Sequence, residues 1–121
     1  MAIQNILVVD DSPTDRQHLM DMLTRSGYHV ATAENAEDAI ARVKQLKPDL
    51  VLMDVVMPGQ NGFQATRTLT RDDATKHIPV IICTSKSQET DKVWGLRQGA
   101  RDYVVKPINV NDLLAKISAL G

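Results

Sequence analysis

The chain has 121 residues, enough for one domain that buries its own core without staples, and its 43% hydrophobic content with only 3% aromatics makes that core aliphatic. Fourteen basic residues against fifteen acidic ones leave a formal charge of −1, which excludes the basic surface that nucleic-acid phosphates demand. One cysteine excludes an internal disulfide, and an amino end without a basic leader, its apolar run soon cut by acids, points to a cytoplasmic protein with no membrane insertion.

Residues 6–9 form the first uninterrupted apolar run, and 50–53 and 80–83 are two more. Runs that do not alternate belong to strands covered on both faces, so these are predicted as central parallel strands. Residues 29–32 and 103–105 are shorter and more mixed, as strands nearer a sheet edge are. Cys83 closes an apolar run and reads as a buried structural thiol.

Helical patterns fill the intervals. The first has Ser12 as N-cap, Pro13 at its opening position and Asp15 facing the first-turn dipole; it buries Leu19, Met22 and Leu23 and stops at Gly27. The second starts at Asn35, with Asp38 three residues on, and its stripe is Ala36, Ala39, Ile40, Val43 and Leu46, ahead of Pro48. The third, 61–70, has a thin apolar face and three mediocre helix formers, Thr66, Thr68 and Thr70. In the fourth, Val93, Leu96 and Ala100 make the buried stripe and Trp94 falls on the flank. The last repeats the capping device with Asn109 and Asp112 and puts Val110, Leu113, Leu114, Ile117 and Leu120 on one face.

Strand and helix thus alternate five times, and right-handed crossovers turn that pattern into a doubly wound α/β sandwich. Residues 1–121 read as one domain, with no room for an output domain. In such sheets ligands bind beyond the carboxyl ends of the strands, where strand order reverses. Asp10 and Asp11 follow the first strand, Asp54 the third, Thr84 the fourth and Lys106 the fifth. Two carboxylates about 5 Å apart repel by roughly 3 kcal/mol at an effective dielectric near 20, whereas a helix cap returns only about 1 kcal/mol. Singly, each residue has an architectural reading: a helix start, a strand-end turn leading into 57–62, a loop cap, a solvated lysine. Jointly they make a pocket of carboxylates, a hydroxyl and an ammonium that suits Mg²⁺ and a phosphoryl group. His18, His29 and His77 are scattered over different elements and make no transition-metal site.

Three motifs, Val-Val-Asp-Asp-Ser at 8–12, Leu-Met-Asp-Val-Val-Met-Pro-Gly at 52–59 and Tyr-Val-Val-Lys-Pro at 103–107, occur in this order. On them, and over essentially its whole length, the chain resembles a response-regulator receiver domain of the chemotaxis CheY type. The resemblance implies a flavodoxin-like five-stranded parallel sheet of order 2-1-3-4-5 with helices on both faces. It implies a histidine kinase of the chemotaxis type as phosphodonor and Asp54 as phosphoacceptor. Mg²⁺ would be held by Asp11, Asp54, the backbone carbonyl of Val56 and, through water, Asp10. Lys106, ahead of a cis peptide to Pro107, would pair with the phosphoryl oxygens. Thr84 would hydrogen-bond one of them, and Tyr103 would be the switch aromatic. Val56, and Lys86 two residues after Thr84, stand where the chemotaxis type has an amide and an acid, which implies slower self-dephosphorylation.

The stretch from Gln88 to Tyr103, with Asn61 to Arg67, carries a closer resemblance to single-domain PilH-type regulators, which belong to the chemosensory system of type IV pili and twitching motility. The protein is expected to be a monomer that catalyses only its own phosphorylation and dephosphorylation. Its output would be binding to a pilus motor or regulatory protein, through a surface of Lys92, Trp94 and Tyr103, or drainage of phosphoryl groups from a shared kinase. Two other readings stand beside it. One is an interaction module that is never phosphorylated, which the intact acid pair, Asp54, Thr84 and Lys106 oppose. The other is a haloacid-dehalogenase-like Mg²⁺ phosphatase, whose Asp-x-Asp element after the first strand is absent here.

Overall fold

The computed structural model describes residues 3–57, 61–85 and 88–120. Its elements, in chain order, are β1 (Asn5–Val9), α1 (Pro13–Arg25), β2 (His29–Ala33), α2 (Ala36–Leu46), β3 (Leu50–Met53), α3 (Gly62–Arg71), β4 (Val80–Thr84), α4 (Glu89–Arg97), β5 (Asp102–Val105) and α5 (Val110–Leu120). All strand pairs are parallel and the order is β2-β1-β3-β4-β5, as expected. The strands run one residue beyond the apolar runs in several places, so that Thr84 lies inside β4 and not after it.

The central strands are apolar throughout because both of their faces are covered. Leu7, Val9, Val51, Met53 and Val80 point to one layer, against Ala36, Ala39, Val43, Ala65 and Leu69 of α2 and α3. Ile6, Val8, Leu50, Leu52, Ile81, Cys83 and Val104 point to the other, against Leu19, Met22, Leu23, Leu113 and Ile117 of α1 and α5. Each fully buried aliphatic side chain contributes up to about 1.5–3 kcal/mol. Burial also pushes the Cys83 thiol up to about 12, so it stays protonated and unreactive.

The helix ends follow the capping chemistry. Ser12, Asn35 and Asn109 each accept the backbone N–H three residues on, at 3.3, 2.8 and 2.9 Å. Gly27, at φ 95°, turns the chain out of α1. The third helix is better built than its threonines suggest. Asn61 and Gln64 form a reciprocal capping box, and Thr66 and Thr70 donate their hydroxyls back to the carbonyls of Gly62 and Thr66, at 2.7 and 2.8 Å.

Three apolar stripes differ from expectation. Leu46, the last residue of α2, and Val110, the first of α5, are exposed. In α4 Val93 and Leu96 of the expected stripe are exposed while Ala100, beyond the helix end, is buried; Trp94 on the flank is exposed, and within the helix the residue that faces the sheet is Gly95. A β-carbon on Gly95 would lie 2.8 Å from Ile82 Cδ1 and 3.2 Å from both Phe63 Cε1 and Tyr103 Cδ2. The helix therefore approaches the sheet through a residue that has no side chain, and its apolar side chains are left outside. Among the described residues, no helix is long and apolar enough to cross a membrane.

Candidate functional site

The sheet register assembles the pocket. Val9 pairs with Met53, so the next residues, Asp10 and Asp54, emerge side by side where the strand order reverses. Thr84 pairs with Val105, which delivers Lys106 to the same rim. Main-chain bonds pin each position: Asp10 N–H donates to the Ala33 carbonyl at 3.1 Å, Asp54 N–H to Val9 at 2.9 Å and Lys106 N–H to Thr84 at 2.8 Å.

Asp10 and Asp54 are buried, at 1% and 5% exposure, and are held in the same way. In each, Oδ1 accepts a backbone N–H two residues on, from Ser12 at 3.0 Å and from Val56 at 3.2 Å. In each, Oδ2 accepts from Lys106 Nζ, at 2.7 Å and 3.4 Å. Asp11 is exposed, yet a carboxylate oxygen from each of Asp10, Asp11 and Asp54 falls within 4.8 Å of the others. Thr84 is fully buried beside them in β4, and the Lys106–Pro107 peptide is cis.

Lys106 also meets a carboxylate that sequence reasoning assigned to the helix dipole. Asp15 Oδ2 accepts from its Nζ at 3.0 Å. No signal in the sequence links residues 91 positions apart; only α1 leaving the sheet above the β5–α5 loop brings them together.

Three carboxylates against one ammonium leave the pocket negative and Asp15 adds to the excess, which Arg16, its guanidinium donating to the Asp10 carbonyl at 2.8 Å, offsets only in part. Burial pushes the Asp10 carboxyl above its ordinary range, although the hydrogen bonds from Lys106 and Ser12 pull it down. Burial works against the Lys106 ammonium too, but its hydrogen bonds to Asp10 and Asp15 and the charge of Asp54 prevail and hold its pKa above that of ordinary lysine. Hard oxygen donors with uncompensated charge suit a divalent cation such as Mg²⁺.

Val56 turns its side chain outward, half exposed, so it presents no polar group to this pocket. Lys86 and the turn residues 58–60 lie outside the described residues. Tyr103 is 9% exposed, its ring packed with Val55, Phe63, Ile82 and Ala100 beneath Gly95. It therefore contributes almost nothing to the surface expected of Lys92, Trp94 and Tyr103, whereas Trp94 is 50% exposed and Lys92 partly so.

Residues 6–118 match the family model described as the response regulator receiver domain. The chain is 60% identical over 115 residues to Protein PilH of Pseudomonas aeruginosa, covering 95% of both. It is 39% identical to the phosphate regulon transcriptional regulatory protein PhoB of the same organism, covering 99% of this chain but 52% of that one. Among solved structures, the chemotaxis protein CheY4 of Vibrio cholerae superposes with a TM-score of 0.91 at 30% identity, covering 99% of this chain and 100% of that one.

Proposed function

Because the chain belongs to the response regulator receiver family, we propose that it is a phosphorylation-controlled signalling protein that takes a phosphoryl group from a histidine kinase onto Asp54. The observation that carries this reading is the Lys106 ammonium bridging the buried Asp10 and Asp54 carboxylates at 2.7 and 3.4 Å. Nothing in a purely architectural role calls for two buried acids to share one cation beside an exposed third acid.

Asp10, Asp11 and Asp54, with the Val56 carbonyl, would hold Mg²⁺, which when bound offsets charge on the phosphoryl oxygens. Asp54 acts as the nucleophile: its carboxylate oxygen forms a bond to phosphorus as the bond from phosphorus to the donor imidazole nitrogen breaks. Lys106, already 3.4 Å from Asp54 Oδ2, is placed to neutralise the oxygens arriving there. Fixed main-chain bonds on both aspartates mean that little reorganisation is needed when charge moves. Val56 has no group to orient an attacking water, so the acyl phosphate hydrolyses more slowly than in the chemotaxis type.

The phosphoryl dianion would draw the Thr84 hydroxyl and shift Tyr103 between an outward position and the inward one seen here. This is a population shift, driven only by the contacts the phosphoryl group makes in the favoured state. The output is binding through Lys92 and Trp94, a surface that the shift of Tyr103 reshapes, or drainage of phosphoryl groups from a shared kinase. The PilH-type resemblance supports a role in type IV pilus control.

Intact-mass analysis with Mg²⁺ and acetyl phosphate tests the core of the proposal. Wild type gains the mass of one phosphoryl group and Asp54→Ala gains none. Equal gain by both, or gain by neither even with a competent kinase, removes the reading.

A further inference from the structure

Lys106 directs its ammonium at three carboxylates, and two of them, Asp10 and Asp54, belong to the acid pocket. The third does not. Asp15, at 3.0 Å, stands outside the Asp10, Asp11 and Asp54 group on the first turn of α1, with 48% of its side chain exposed. Its backbone N–H donates to the Ser12 hydroxyl at 3.3 Å, which fixes where the carboxylate starts. Together with His18, Leu19, Pro107 and Ile108, Asp15 and Lys106 line one cavity of about 160 Å³. An anion reaching Lys106 from that side passes Asp15.

On the reading of Asp54 as phosphoacceptor, we propose that Asp15 is a positioning residue: it tethers Lys106 Nζ in the unphosphorylated protein and competes with the incoming phosphoryl group for it. The phosphoryl group brings fresh negative charge to a region where three carboxylates already share one ammonium beside a fourth, Asp11. Asp10 is buried within the metal pocket and Asp54 is itself modified, so Asp15 is the partner that Lys106 can release without dismantling the site. The tether keeps the lysine from swinging into solvent before the donor arrives. The same charge opposes an anionic donor and weakens the hold of Lys106 on the acyl phosphate, so Asp15 slows phosphoryl uptake and hastens its loss.

Wild type, Asp15→Asn and Asp15→Glu distinguish this from a helix-capping role. Uptake from acetyl phosphate, a small anionic donor, is followed with Mg²⁺ over a range of ionic strength. The Lys106 ammonium resonance is followed by NMR in protein free of metal and donor. Asp15→Asn is expected to take up phosphoryl roughly three- to tenfold faster at low salt, with an advantage that shrinks as salt screens the half-exposed charge. The Lys106 resonance moves in the same variant, and Asp15→Glu restores both properties. An Asn variant no faster than wild type at any ionic strength overturns the proposal, as does a faster one with no salt dependence and an unmoved Lys106 resonance. Should wild type itself take up nothing from acetyl phosphate or from a competent kinase, the phosphoacceptor reading falls first and the tether falls with it.

Discussion

Gly62 opens α3 directly against the main chain of Asp54: a β-carbon on it would collide with the Asp54 carbonyl oxygen and lie 2.7 Å from Val55 Cα and 2.8 Å from the Asp54 carbonyl carbon. The close approach lets the Gly62 N–H donate to the Val55 carbonyl at 3.3 Å, and it sets the position of the segment that carries the acceptor aspartate.

Gly62→Ala is therefore expected to move Asp54 relative to Asp10 and Lys106, because the neighbour that must give way is backbone. Misplacement on the order of 1 Å costs up to about a hundredfold in such chemistry, so uptake from acetyl phosphate falls by roughly tenfold or more. Overpacking lowers stability by about 1–3 kcal/mol. Gly27→Ala is the control: it is strained by its φ of 95°, but a β-carbon there meets nothing within 4 Å. It loses stability, by about 1 kcal/mol, with uptake unchanged. Equal losses of uptake in the two variants would show that the effect is global.

Asp10 is a buried acid kept at a cost in the metal-free protein. Its folded pKa lies above the ordinary value, chiefly through burial, so its favourable contribution is present below the unfolded value of 3.8 and is lost as pH rises through the folded pKa. Asp10→Asn, which still offers an oxygen to Ser12 or Lys106, is expected to raise the metal-free melting temperature at pH 7 by roughly 2–5 °C, about 1 kcal/mol. The gain disappears below about pH 4, where the wild-type carboxyl is protonated. Melts in chelator at the two pH values measure it, and with added Mg²⁺ wild type gains more than the variant.

Gly95 supplies the space that the Tyr103 ring occupies. Burial pushes the Tyr103 phenol up to about 12, with the charges of Asp91 and Asp54 adding to it. In Gly95→Ala the new methyl group faces Ile82, Phe63 and Tyr103 at 2.8–3.2 Å, and Tyr103, at 9% exposure the least buried of the three, is the one expected to yield. The ring is expected to move outward and its phenol to titrate near the ordinary value of about 10. Selective ¹³C labelling of tyrosine follows Tyr103 separately from Tyr28. An unchanged titration would mean that the helix, not the ring, has given way.

Much of this architecture was legible because it rests on local chemistry. Continuous aliphatic runs marked β1, β3 and β4, and side-chain caps at Ser12, Asn35 and Asn109 marked the starts of three helices. The pocket followed, since residues next to strand ends in a parallel sheet converge whatever the loops do. The orientation of α4 was not legible, because a periodicity argument looks for apolar side chains on the buried face, and here that face is presented by Gly95. Asp15 was hidden for a different reason. An acid on the first turn of a helix already has a sufficient local explanation, and its pairing with Lys106 exists only once the sheet is assembled.

Asp49 lies at the opposite end of β3 from Asp54, and it ties down the strand that carries Asp10. Its Oδ2 accepts the backbone N–H groups of Gln4 and Asn5 at 3.0 and 2.9 Å, and its own N–H donates to the Asn5 carbonyl at 2.8 Å, so the start of β1 is anchored to the turn before β3. The two backbone donors hold the Asp49 carboxyl below its ordinary range. With a depressed folded pKa, its stabilisation is present above the unfolded value of 3.8 and is lost as pH falls through the folded pKa. Asp49→Ala removes the acceptor altogether. Hydrogen bonds to a charged group are worth about 1.5–3 kcal/mol in favourable settings, and exposure reduces that here to about 1 kcal/mol at neutral pH. Urea unfolding at pH 7 and at pH 3 gives the check: the deficit of the variant should be plain at pH 7 and should narrow at pH 3. A deficit equal at the two pH values would assign the effect to lost packing and not to the carboxylate charge.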